Sequence, residues 1–269
     1  MISIIKRVFL DKWRSVLIYV FSSLAFSEIY VSLYPMLRDQ LSNLEGFLEV
    51  FPKEFMEAFG FTAETMSFAT VESLMATEMF SFIWPIILII LAASLAGYNF
   101  AGDIEKGTIE LTLAQPVSRI KIFLGRYFAG AVLITIFVLT TVFGIIPLAA
   151  MHKIDFNFEA YVKMSILGVL FALAVYAVAT FLSVLFSEKG KATFGVVGVL
   201  ITMYSVKIVS GLKEELEFLR YTSFFYYFDT GAALVKTEYQ DWAILVFALT
   251  IIIFSLLALV RFKKRDIAV

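Results

Sequence analysis

GDIEKGTIELTLAQPVSRIKIFLGR, residues 102–126, is a polar island between two long apolar runs. Its basic side chains are Lys106, Arg119, Lys121 and Arg126, and its acidic ones are Asp103, Glu105 and Glu110. That mixture makes a solvated face suited to touching something charged. Gly107 and Thr108 read as a turn followed by a helix N-cap, with Glu110 in the first turn, where the positive end of the helix dipole favours it. Pro116 lacks an amide donor and pushes Gln115 out of helical geometry, so this helix is short. Ser118 then caps a second helix that runs from Arg119 into the next apolar run. The island therefore predicts an elbow over 102–119: membrane helix, short surface helix, turn, membrane helix.

Around the elbow the composition is that of a chain built for lipid. Of 269 residues 61% are hydrophobic, 29 are Phe, and the mean hydropathy is +0.89, more than the core of a water-soluble domain of this length would need. The absence of cysteine excludes disulfides, thiolate metal sites and thiol catalysis, and a single histidine leaves no supply for a histidine-rich metal cluster. No metal site is expected.

Six apolar runs are long enough to cross a hydrocarbon core of ~30 Å: about 16–35, 79–98, 120–150, 161–186, 192–209 and 242–260. The fold class predicted is thus all-α, a polytopic membrane protein with six transmembrane helices in one domain spanning 1–269. Ahead of the first run, Ile5, Val8, Phe9, Trp13 and Val16 share a helical face while Lys6, Arg7, Lys12 and Arg14 lie elsewhere. This predicts an N-terminal interfacial helix over 3–16 or the basic flank of a membrane anchor. Residues 36–78 hold two basic and eight acidic residues, with Leu37, Leu41, Leu44, Leu48, Phe51 and Phe55 at helical spacing, which predicts amphipathic helices on the outer face, interrupted at Pro52. Pro85 is expected to kink the second span. Gly195 and Gly198 in the fifth suit close helix approach.

Charge fixes the orientation. Placing the N-terminus, the 99–126 loop, the 187–191 turn and the C-terminal tail on one side gathers 14 Lys and Arg with six acids there, against eight and 16 on the other. The positive-inside rule puts the basic side, and both termini, in the cytoplasm of a cell whose plasma membrane the chain spans. Glu28 is left inside the first span. Its insertion cost of ~2.5–3.5 kcal/mol demands protein or water around it, either as a polar point in a translocation cleft or as a residue close enough to the outer face to bond its neighbours.

The elbow is also where the sequence becomes familiar. Glu105-Lys106-Gly107-Thr108, then Leu111 and Leu113, then Gln115-Pro116-Val117-Ser118-Arg119 and Leu124-Gly125-Arg126 resemble the first cytoplasmic loop of type-2 ABC export permeases. Two departures stand out: Thr112 occupies a common leucine position, and Arg126 replaces the usual lysine. TSFFYYFDTGAAL, residues 222–234, is similar to the aromatic stretch before the last span in that family, with Ser223 in place of the usual proline. The basic ending Phe262-Lys263-Lys264-Arg265-Asp266-Ile267 fits too, so the resemblance covers essentially the whole chain.

The resemblance implies that the short helix is a coupling helix docking into a groove of a cytoplasmic ABC ATPase. Its contact set is then Asp103, Glu105, Gly107, Thr108, Glu110, Leu111, Leu113, Pro116 and Arg119. It also implies a dimeric pore, with a second permease subunit (identical or not) and two ATPase subunits. The aromatic, mostly uncharged spans suit export of a hydrophobic or amphipathic cargo such as a lipid, a drug or an antimicrobial peptide. No phosphate-binding G-x-x-x-x-G-K-[ST] loop exists here, because Gly190-Lys191 is followed by alanine and lacks the upstream glycine. ATP and Mg are therefore expected on the partner chain, with no cofactor in this one, and no nucleic-acid partner is expected. A secondary transporter or channel is the alternative, with only Glu28 and Lys207 as intramembrane charges to support it. An intramembrane protease fails on histidine supply, although Glu214-Glu215 and Arg220 faintly resemble such an active site.

Overall fold

The computed structural model describes residues 2–41, 69–107 and 117–265. Six helices in it are long and apolar enough to cross a membrane, and no strand occurs among the described residues. Span one is a single helix, Ile2–Leu41. Forty residues at 1.5 Å each reach about 60 Å, roughly twice the hydrocarbon thickness. The interfacial helix expected over 3–16 is therefore the N-terminal part of this rod rather than a separate element. Nothing from Lys12 to Val16 could break it, since the stretch holds neither proline nor glycine, and Pro35 near the other end is carried inside the helix.

Span two, expected over 79–98, runs from Val71 to Glu105. Thr70 starts it with a reciprocal cap: its hydroxyl accepts from the Ser73 amide at 3.2 Å while Ser73 Oγ accepts from the Thr70 amide at 3.4 Å. Met75–Ile83 and Gly97–Ala101 are π-helical. Pro85 comes two residues after the first of these stretches ends, where a widened turn relieves the clash between the proline ring and the carbonyl of the preceding turn. The opened Ala76 carbonyl accepts from Ser81 Oγ at 2.6 Å and from Thr230 Oγ1 at 2.9 Å, so a residue 154 positions away helps hold the wide turn.

Span three, Arg119–Met151, is interrupted only at Gly144, and span four is Phe158–Leu185, started by Asn157. Span five is Lys189–Leu212 and span six Ala243–Lys264. Between five and six lie a 3₁₀ stretch, Glu214–Thr222, and the short helices Phe224–Tyr227 and Thr230–Leu234. Ser223, standing where proline is usual, caps Phe224–Tyr227 through the Phe225 amide and donates to the Met203 carbonyl at 2.7 Å, tying this segment to span five. Asp229 caps the next helix through the Ala232 amide at 2.9 Å. Of the amphipathic helices expected over 36–78, residues 36–41 instead end the span-one helix and 71–78 begin span two, while 42–68 lie outside the described residues.

Span four is the core, with 67% of its apolar window buried against 17% for span five. In lipid, burial of apolar surface alone gives little cohesion, so close packing and polar pairs hold the bundle together. Trp84 shows both: it stacks between Phe137 and Phe228 at 6.0 and 5.8 Å, and its indole donates to Thr141 Oγ1 at 2.9 Å, joining spans two and three. Phe228 stacks on Phe171 of span four at 4.2 Å. Gly195 abuts Phe186 and Leu182, whereas a Cβ at Gly198 would meet none of the described residues within 4 Å.

Candidate functional site

At the end of the bundle where the basic residues gather, the two limbs of the elbow are locked together. Span two stays helical to Glu105. Gly107, at φ +68, then turns the chain away, with its amide on the Ile104 carbonyl at 3.1 Å. A residue without Cβ suits that left-handed position. Arg126, one-tenth exposed in its side chain, reaches back from span three: Nη2 donates to Asp103 Oδ2 at 2.6 Å and Nη1 to the Asn99 carbonyl at 2.6 Å. Asn99 Nδ2 returns a bond to the Arg126 carbonyl at 3.2 Å and another to the Tyr176 hydroxyl at 3.3 Å. The second π stretch ends beside Asp103. It thereby sets the angular phase that brings Asn99 and Asp103 to the same arginine.

The other limb begins at Ser118, whose hydroxyl accepts the Lys121 amide at 3.4 Å. Arg119 does not face Asp103. Its Nη1 donates to the Arg265 carbonyl at 2.7 Å, just past span six. Arg265 in turn donates to the carbonyls of Val184 and Phe186, the latter at 3.1 Å, and to Ser187 Oγ at 2.6 Å, capping the end of span four. Glu105 Oε2 accepts the Lys189 amide at 2.9 Å, the first residue of span five. Spans two to six thus all have a polar attachment at the elbow. Of the residues singled out in sequence, Asp103, Glu105, Gly107 and Arg119 fall here. Thr108, Glu110, Leu111, Leu113 and Pro116 lie outside the described residues.

Sequence reading missed Arg126, Asn99, Lys189 and Arg265 as parts of this site. The sequence shows Arg126 as one basic residue of the polar island and as a replaced lysine, and does not name its partner. The signal available was a guanidinium two turns inside an apolar run, which needs a buried carboxylate to be tolerated, and Asp103 is the nearest acid upstream without another local role.

Glu28 lies at the opposite end. Its Oε1 is 2.7 Å from His152 Nε2, and both side chains are about one-third exposed. It shares that end with a polar cleft of about 680 Å³ lined by Tyr34, Arg38, Glu72, His152, Lys153 and Asp155. Glu72 is buried there and accepts the Asn157 amide at 2.6 Å. Between spans two and five runs an apolar groove of about 410 Å³, lined by Phe82, Ile86, Ile90, Ile201, Tyr204 and Phe225. Glu28 does not line it.

Compared with known proteins, residues 7–267 match the family described as ABC-2 family transporter protein. No curated protein matches the chain.

Proposed function

Because the chain belongs to the ABC-2 transporter family and is therefore a multi-pass membrane subunit of an ABC transporter, we propose that it is the six-span permease of an exporter and takes its drive through the 102–119 elbow. The family associates in general with an ABC ATPase. Here the proposal is two copies of such a subunit on the basic, cytoplasmic side, carrying the ATP and Mg, and a second permease subunit completing the pore in the plasma membrane. Both termini share that side with the ATPase. The cargo proposed is hydrophobic or amphipathic, in keeping with a groove between spans two and five whose walls are almost wholly apolar. Glu28 would act only at the outer mouth of the path, where His152 holds it.

The observation that carries the reading is the Arg126 clamp. A loop that merely ended two helices would need no buried ion pair between them. A loop that must pass a push from a docked ATPase into the membrane needs its limbs to move as one body, and a fork bonded to Asp103 and Asn99 makes them do so. The test is co-expression with the ATPase. Glu110→Lys and Thr108→Pro are expected to lower ATPase co-purification per folded permease and to uncouple hydrolysis from transport, while insertion proceeds. Glu105→Gln, which keeps an acceptor for the Lys189 amide, separates loss of charge from loss of the span-five attachment. Normal co-purification and normal coupled hydrolysis in both folded variants would sink the assignment.

A further inference from the structure

A second feature at the same end has no part in the clamp. Lys12 of span one places its ammonium 3.5 Å from the centre of the Tyr98 ring. The neighbouring Gly97 leaves room for the stem of Lys189: a Cβ there would stand 3.0 Å from Lys189 Cγ. Adjacent residues of span two thus hold cations from spans one and five side by side, and Lys106 follows Glu105, which is bonded to the Lys189 amide. Lys12 feels the positive charge of Lys189 and, more weakly, of Lys106, against the negative charge of its neighbour Asp11.

Among the described residues the nearby carboxylates are bonded elsewhere, and Asp11 offsets only part of the charge around Lys12. Asp11 accepts from the Tyr98 hydroxyl at 2.8 Å and faces Arg7, Asp103 is held by Arg126, and Glu188 pairs with Lys191 at 2.5 Å. None of the three lysine ammonium groups has a salt-bridge partner among the described residues. Two like charges seated by a cation–π contact and a glycine gap, with Lys106 close enough to act on Lys12, call for an anion. Beyond them, toward the middle of the bundle, the same two helices expose Leu17, Ile18 and Phe194, a surface for hydrocarbon. We infer that Lys12, Lys106 and Lys189 bind the phosphate of an anionic phospholipid, whose acyl chains lie along the exposed apolar faces of spans one and five.

The inference needs only that the chain spans a membrane, so it stands or falls separately from the coupling proposal. The full-length chain in nanodiscs of phosphatidylcholine would be given spin-labelled phosphatidylglycerol or spin-labelled phosphatidylcholine, and the motionally restricted fraction read by electron paramagnetic resonance. The wild-type chain should favour the anionic probe about threefold or more, and the combined Lys12→Gln, Lys106→Gln, Lys189→Gln variant should show no preference. Lys263→Gln with Lys264→Gln, which removes two charges at the same end, should keep the preference. An equal loss in that control would mean diffuse attraction and overturn the site. Inorganic phosphate added at constant ionic strength distinguishes the sources: an unchanged restricted fraction supports the lipid, and release of the probe would assign the lysines to a soluble phosphate and overturn the inference. No anionic preference in the wild-type chain also overturns it.

Discussion

Arg126 joins the two limbs of the elbow with a single side chain. Its pair with Asp103 is mostly buried, so removing one partner takes apart an ion pair in a low-dielectric setting. Arg126→Met is expected to cost about 3–5 kcal/mol, read as a lowered unfolding midpoint of the detergent-solubilised chain by circular dichroism. Asp103→Leu added to Arg126→Met should recover part of that loss, because the second change also removes the mostly buried carboxylate that had paired with the guanidinium. Glu28 behaves differently, being partly solvated. Glu28→Gln keeps an acceptor for His152 and should shift the midpoint by less than Glu28→Ala, both within the ~0–1 kcal/mol range of partly exposed pairs. Gly130 has no such latitude. A Cβ there would come within 2.0 Å of the Tyr176 hydroxyl, so Gly130→Ala should cost about 1–3 kcal/mol by overpacking, measured in the same way.

Among the elements, those whose cause is local could be read from the sequence. Ser118 announces a helix because a hydroxyl before Arg119 can take an orphan amide, and Gly107 announces a turn because a left-handed residue there favours glycine. Gly107→Ala is accordingly expected to lose about 1–2 kcal/mol through backbone strain, since no described residue comes within 4 Å of a Cβ there. Gly107→Asn should lose less. What depends on distant partners was illegible. The π stretch after Met75 rests on a hydroxyl from Thr230, and the far end of span two is shaped to meet Arg126, which lies 27 residues beyond Asn99. Spans two and five also outrun their apolar runs, because Glu72 and Lys189 are polar yet have partners in Asn157 and Glu105. Hydropathy counts such residues as flanks, whereas the fold continues the helix through them.

For the whole molecule, membrane class and family were already written in composition and in one loop, while sidedness rests on charge segregation. A cysteine-free chain makes sidedness easy to test. In intact cells, an impermeant maleimide should label Lys153→Cys, an exposed position beside Glu28's partner, and should leave Lys106→Cys unlabelled until the membrane is permeabilised. The reverse pattern would invert the topology. Span two also has a consequence at this scale. A π turn holds one residue more than an α turn, so the helix stores surplus length both before Trp84 and after Ala96. Rewinding either stretch to α geometry would swivel everything beyond it by about 100°, one residue's worth of helical rotation. The middle section, Trp84–Ala96, therefore sits between two swivels: one is latched by the Thr230 hydroxyl, and the other ends where Arg126 grips Asn99 and Asp103.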